Sequence, residues 1–271
     1  VRAAATSALA AYLGLSVAVP VAAQQGQPEV LREVGFDQRL GTTLPLDVAF
    51  RDESGRTVLL REYFRGRPVV LSLVYYECPM LCTLTLNGLA SALDVLSFDV
   101  GREFEVVTVS FDHRETPALA SAKKKAYLER YRRPGAAQGW HFLTGDEASV
   151  RRLTSAVGFR YAWDARTRQF AHPAGVVVLT PEGRVARYLF GIEYAPKDLR
   201  FALVESSAGR IGSAVDRLVL YCYQYDPATG RYGAVVMRIV RVAAVLTVAA
   251  LGGFILVSRR RERAVPTGAG R

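Results

Sequence analysis

The stretch "YYECPMLCT", residues 75–83, holds two of the chain's three cysteines, four positions apart. Two thiols at that spacing support three chemistries. They can close a disulfide, cycle between dithiol and disulfide, or present two soft sulfur donors to one metal ion. In a helix, Cα atoms four residues apart lie about 6 Å from each other, within disulfide reach but wider than the preferred spacing. If Cys78 caps a helix with Pro79 in the first turn, its sulfur faces unpaired amides and the positive helix end, which favour thiolate. Cys82 then lies one turn on, with its sulfur on the same side. Local spacing leaves all three chemistries open.

The remaining donors are few. Three histidines occur: His113 in "FDHRE", His141 in the apolar "GWHFL", and His172 in "FAHPAG". His141 reads as structural, and His113 follows a strand and faces either the site or solvent. Met80 carries a thioether, but helical direction turns it away from the Cys78–Cys82 side, which makes it a packing residue. Cys222, in "LYCYQYDPATG", has no cysteine or histidine nearby and reads as a free thiol in an aromatic packing segment. Tyr75, Tyr76 and Glu77 shape the surroundings of the pair, and Lys123–Lys125 read as a solvated helical face.

Alternating strands and helices must position these groups. "TLPLDVAFRDESGRTVLL" reads as a hairpin turning at "DESGR", and "RPVVLSLVYY" as a central strand covered on both faces. Helical spacing follows the cysteines at Leu84, Leu86, Leu89, Leu93 and Leu96. "EFEVVTVSFD" is the next strand, and "TPALASAKKKAYLERY" a helix capped by Thr116 with Pro117 in its first turn. "GWHFLTG" supplies a short strand, and "DEASVRRLTSAVGF" a helix starting at Asp146. A hairpin turning at "TPEG" and a helix over "APKDLRFALVESSAG" close the series. The pattern predicts an α/β domain with a mixed sheet covered by helices. It puts the cysteines where a central strand enters a helix, an edge that α/β folds use for function.

The ends address the compartment. Residues 1–23 read as a signal peptide, with Arg2, an apolar run to Val19 and small residues at Val21 and Ala23. Residues 24–33 form a short linker, 34–208 the domain, 209–233 a juxtamembrane segment, 234–257 a transmembrane helix and 258–271 a basic tail. The uncharged run from Val242 to Val257 falls short of a span, so the upstream part completes it, with Arg238 and Arg241 snorkelling. Arg259, Arg260, Arg261 and Arg263 then place the C-terminus in the cytoplasm and the domain outside a bacterial-type cytoplasmic membrane. From Arg238 onward seven arginines face only Glu262, so these segments account for most of the formal net charge of +10. The domain itself is only weakly basic, with no basic and aromatic strip, which excludes nucleic acid as an inferred partner.

The segments "VVLSLVYYECPMLCTLTLNGL", "TVSFDHRETPALASAKKKAYLERY" and "FAHPAGVVVLTPEGRV", in that order, resemble the Sco/SenC family of thioredoxin-like copper proteins across roughly residues 34–208. The resemblance implies a thioredoxin-like fold. It implies that Cys78, Cys82 and His172 bind copper, predominantly as Cu(I), and that the chain is a copper chaperone rather than an enzyme. Its expected partners are the copper-bearing subunit of cytochrome c oxidase, a copper donor or thiol reductant, and the membrane. The alternative is a membrane-anchored thiol–disulfide oxidoreductase that uses Cys78 and Cys82 to keep acceptor cysteines reduced. Asp112 matches a family aspartate and is expected to order its loop without acting as a ligand. The chain departs from the family's usual pattern at Met80 and Ala171, where acidic residues are common, and in anchoring its C-terminus rather than its N-terminus.

Overall fold

A computed structural model of the chain describes residues 33–210, parts of two short strands beyond them, and a C-terminal helix. The expected signal peptide, most of the expected linker, Cys222 and most of the juxtamembrane segment lie outside the described residues.

A five-stranded mixed sheet carries the domain. Strands β4 (Val69–Val74), β5 (Glu105–Ser110) and β6 (Trp140–Leu143) are parallel neighbours. Strand β10 (Gly175–Leu179) runs antiparallel along the other side of β4, and β11 (Val185–Phe190) forms the edge beside it. Every residue of β4, β5, β6 and β10 is buried, as continuous apolar runs require when both sheet faces are covered. Polar side chains within this core are paired: Ser72 Oγ lies 2.9 Å from Thr108 Oγ1, which also accepts from Trp140 Nε1 at 3.0 Å.

Parallel neighbours need crossovers, and helices supply them. Helix α1 (Leu81–Val95) joins β4 to β5, and α2 (Pro117–Tyr131) joins β5 to the short α3 (Ala136–Gly139) and β6. Helix α4 (Glu147–Ala156) follows β6, its first turn capped by Asp146, which accepts from the Ser149 amide at 2.7 Å. Helix α5 (Pro196–Ser207) packs against α1, β10 and β11. Gly88, inside α1, lets that helix approach the segment leading into α5. A Cβ there would stand 1.8 Å from the Ile192 carbonyl oxygen.

Smaller ribbons surround the sheet. Strand β1 (Gly35–Phe36) pairs with β7 (Phe159–Arg160), and β2 (Ala49–Arg51) with β3 (Thr57–Leu59) across the "DESGR" turn. A 3-10 turn over Leu60–Tyr63 follows. Strands β8 (Ala162–Asp164) and β9 (Gln169–Ala171) form a further hairpin absent from the sequence expectations. Its strands pair only with each other.

Beyond the domain, β12 (Tyr225–Asp226) pairs with β13 (Arg231–Tyr232), and α6 runs over Ala234–Arg263, past the expected end at Val257. The expected membrane span is not supported. Among the described residues no helix is long and apolar enough to cross a membrane.

Candidate metal centre

The site forms where β4 leaves the sheet. After Val74 the chain makes a tight loop in which the Cys78 amide donates to the Tyr75 carbonyl at 3.3 Å, and α1 begins only at Leu81. Cys78 therefore does not cap the helix, as its spacing suggested; Met80 occupies that position and Pro79 stays in the loop. The electrostatic consequence persists by another route. Cys82 sits in the first turn of α1, and its orphan amide donates to Cys78 Sγ at 3.3 Å. The loop folds the earlier sulfur onto the helix end.

His172 arrives from the opposite direction, at the end of β9 just before β10. Its Nε2 lies 3.2 Å from Cys82 Sγ. Its Nδ1 lies 3.0 Å from the Pro173 carbonyl oxygen, which can only accept, so Nδ1 carries the proton. Nε2 then presents its lone pair toward the sulfurs, the tautomer a metal ligand requires. Donor atoms of Cys78, Cys82 and His172 all lie within 4.8 Å of one another, and all three residues are buried. Both cysteines are free thiols.

Environment sets the two sulfurs apart. Hydrogen bonding from Cys82 pulls the Cys78 thiol well below its ordinary pKa against the penalty of burial, and the Cys82 and Met80 amides assist. Burial pushes Cys82 far upward, and its neighbour Cys78 adds to that shift. The Cys82 sulfur also accepts the Tyr75 amide at 3.3 Å. Two soft sulfurs and one imidazole nitrogen, with no carboxylate among them, make a low-coordinate soft site.

Aromatic rings wall this donor set. The His172 ring meets Phe111 at 5.2 Å, Tyr75 at 5.9 Å and Phe159 at 6.3 Å between centroids. They exclude water from the donors on the protein side. Met80 is 67% exposed, as expected, but as the residue capping α1 rather than one within the helix.

The other histidines stay apart. His113 is exposed after β5. His141, on β6, is buried with its Nε2 3.2 Å from Glu105, a structural pairing. Asp112 does not approach the donors. Its carboxylate is gripped by the Arg114 guanidinium through two bonds of 2.7 Å, and the Arg114 amide adds one of 3.0 Å.

Glu115 is the residue that sequence reasoning missed. Buried behind the cysteine loop, its carboxylate accepts the Tyr76 and Glu77 amides, each at 2.7 Å, and the Ser110 hydroxyl at 2.5 Å. It ties the residues just before Cys78 to the end of β5. Burial pushes its pKa up, while these donors act in the opposite direction. A faint signal was present: an acidic residue follows the valine-rich strand β5 closely and sits just before the Thr-Pro helix start.

A profile of the SCO1/SenC family matches residues 45–203, which include all three donors. A Stutzerimonas stutzeri protein, named as a candidate copper-binding protein, is 24% identical over 132 residues. That match spans 47% of this chain and 60% of the relative's own length. Among solved structures, an Aquifex aeolicus VF5 protein named as a candidate electron transfer protein superposes with a TM-score of 0.56 at 28% identity. The match covers 64% of this chain and 96% of that one. Arabidopsis thaliana ScoI, solved with copper bound, gives 0.50 at 17% identity over 63% of this chain and 99% of its own, a likeness of fold alone. With the mixed α/β fold in common and the profile covering more than half of the sequence, the chain belongs to the SCO1/SenC family.

Proposed function

We propose that the protein binds one Cu(I) ion as cargo through Cys78 Sγ, Cys82 Sγ and His172 Nε2, and delivers it to the copper-bearing subunit of cytochrome c oxidase. The observation that carries this reading is the convergence of those three donors within 4.8 Å in a buried pocket. Two thiolates and one imidazole suit a soft monovalent ion, whereas hard cations require oxygen ligands in number. Cys78 is already disposed to ionise, and metal entry displaces the Cys82 proton. Family membership supports the oxidase as destination.

A second reading uses the same sulfurs without the imidazole. The thiolate of Cys78 attacks an acceptor disulfide, and Cys82 then displaces the resulting mixed disulfide. The acceptor leaves as a dithiol and Cys78–Cys82 as a disulfide, two electrons having passed to the acceptor. The asymmetric pair favours that chemistry.

Anaerobic Cu(I) titration with X-ray absorption separates the two. The reduced full chain is expected to take one ion with two sulfur donors and one nitrogen donor. Cys78→Ala and Cys82→Ala each lose a sulfur, and His172→Ala loses the nitrogen while retaining weaker two-sulfur binding. A signal without protein sulfur rejects the metal reading. Copper-free exchange that needs Cys78 and Cys82 but not His172 establishes the redox one.

We further propose that α6 tethers the domain to the outer face of a cytoplasmic membrane, with its basic end inside. What supports this is the exposure of Val245, Leu246, Val248, Leu251, Phe254 and Leu256 along one helix. In sealed cells or spheroplasts, external protease should digest the domain and spare a C-terminal tag. Digestion of that tag with the membrane intact refutes the orientation.

A further inference from the structure

His172 must meet two sulfurs that are fixed independently of it, so something has to hold its position. On its C-terminal side the backbone runs into β10 of the sheet, but on its N-terminal side the backbone supplies little. The β8–β9 hairpin from which it emerges joins no other strand. Ala171, immediately before it, has only a methyl group and cannot tether the turn through a hydrogen bond. Its own Nδ1 bond closes on the next residue, Pro173, and sets the tautomer without anchoring the hairpin to the domain.

Side chains supply the anchor. Phe170, two residues before His172, packs on Tyr75 at 5.5 Å and Phe111 at 5.6 Å. On the solvent side the Arg114 guanidinium lies over two rings of the hairpin, 5.0 Å from the Trp163 centroid and 5.4 Å from that of Phe170. Those rings meet edge to face at 5.0 Å, one from each hairpin strand. Asp112, itself buried, holds the guanidinium by the two-bond fork. Arg114 follows β5 in the core sheet, so the chain Asp112–Arg114–Trp163–Phe170 ties the hairpin to the sheet.

We propose that Arg114 is a positioning residue for His172. Its guanidinium latches the β8–β9 hairpin and so determines whether the imidazole completes the three-donor site or the two sulfurs act alone. The proposal rests on the metal-binding reading above. Two features separate it from ordinary surface packing. A bidentate fork fixes the plane of the guanidinium, which a lysine ammonium cannot reproduce. One of the rings it covers, Phe170, also stands two residues before a ligand, whereas the backbone of the cysteine loop is held by Glu115 through a separate set of bonds.

The test uses the full chain as the parent, Arg114→Ala, Arg114→Lys, His172→Ala and the Arg114→Ala/His172→Ala double variant. Loss of a cation over two partly exposed rings predicts about tenfold weaker Cu(I) retention against a chelator in Arg114→Ala. X-ray absorption should show that variant losing its nitrogen donor and keeping both sulfurs. Arg114→Lys should recover part of the affinity. In the His172→Ala background, Arg114→Ala should cause no further loss, because its effect passes through the imidazole. A second tenfold loss in that background overturns the proposal, as does an Arg114→Ala protein with its nitrogen donor and affinity intact. In the metal-free proteins, the His172 ring resonances should move in Arg114→Ala while Cys78 alkylates at the parental rate. Unmoved resonances, or faster alkylation from general loosening, also overturn it. If the parent binds no Cu(I), the metal reading fails, and the metal-free resonances still decide the latch.

Discussion

Replacing Glu115 by glutamine tests what holds the cysteine half of the site. The carboxylate accepts two consecutive backbone amides and a hydroxyl, all buried. Hydrogen bonds to a charged acceptor contribute about 1.5–3 kcal/mol each, and a buried donor left unpaired costs about 1–3 kcal/mol. Glutamine retains one oxygen but turns an NH2 group toward one of the amides, so one bond is lost and one donor is orphaned. The neutral side chain recovers part of this, because the charge no longer has to be buried. The balance is a loss of about 2 kcal/mol, or roughly 4–8 °C in melting temperature for a domain of this size. Urea unfolding of the reduced, metal-free chain, followed through its aromatic signal, measures that loss. The same variant should expose Cys78, so its alkylation accelerates while the His172 ring resonances keep their positions. Stability within about 0.5 kcal/mol of the parent, with unchanged alkylation, would refute the assignment of Glu115 as the anchor of this loop.

Two other substitutions probe the frame. Burial opposes the Asp112 charge, but Arg114 outweighs it and keeps the Asp112 pKa below its ordinary value of 3.8. A depressed carboxylate pKa adds stability that is fully present above 3.8 and is lost as pH falls through the lower folded value. Asp112→Asn should therefore cost about 1 kcal/mol at neutral pH, and the gap to the parent should close in acid. A gap that widens below that pH contradicts the pairing. Gly88→Ala pits helix propensity, about 1 kcal/mol in favour of alanine, against a Cβ placed 1.8 Å from the Ile192 carbonyl oxygen. Separating α1 from that backbone should win and destabilise the domain by about 1–2 kcal/mol. A raised unfolding midpoint would show that the contact yields freely.

Much of the frame was legible because burial writes itself as an apolar run. "VVLSLV" and "EVVTVS" became fully buried central strands, and the "TPEG" turn joins β10 to β11 as its residues required. Asp146 caps its helix as expected, whereas Thr116 stands at the start of α2 without a side-chain bond. The start of α1 was misplaced because Cys-Pro fits a cap-and-first-turn pattern, while the chain instead makes one more turn before Leu81. The β8–β9 hairpin went unseen: its strands are three residues long, and its stability comes from Phe170, Trp163 and Arg114 meeting across the fold. The cysteines and His172 could be named from motif and family, but their common pocket, the His172 tautomer and the role of Glu115 depend on contacts between distant segments.

Cys82 and His172 are separated by 90 positions in the chain yet share one ligand cluster. An ion held by both is therefore a reversible cross-link that closes a long loop. By analogy with covalent staples, closing a loop of roughly that length withdraws on the order of 4 kcal/mol of freedom from the unfolded chain. Cargo release then has a mechanical side. On the delivery reading proposed above, each release would unfasten the late β9–β10 region from the early β4–α1 region, leaving the domain to rely on its aromatic and backbone contacts until the next ion arrives. Synthesis proceeds in the same direction: the thiol pair emerges well before the imidazole, so a nascent chain is for a time an unguarded dithiol, open to oxidation before it can be stapled.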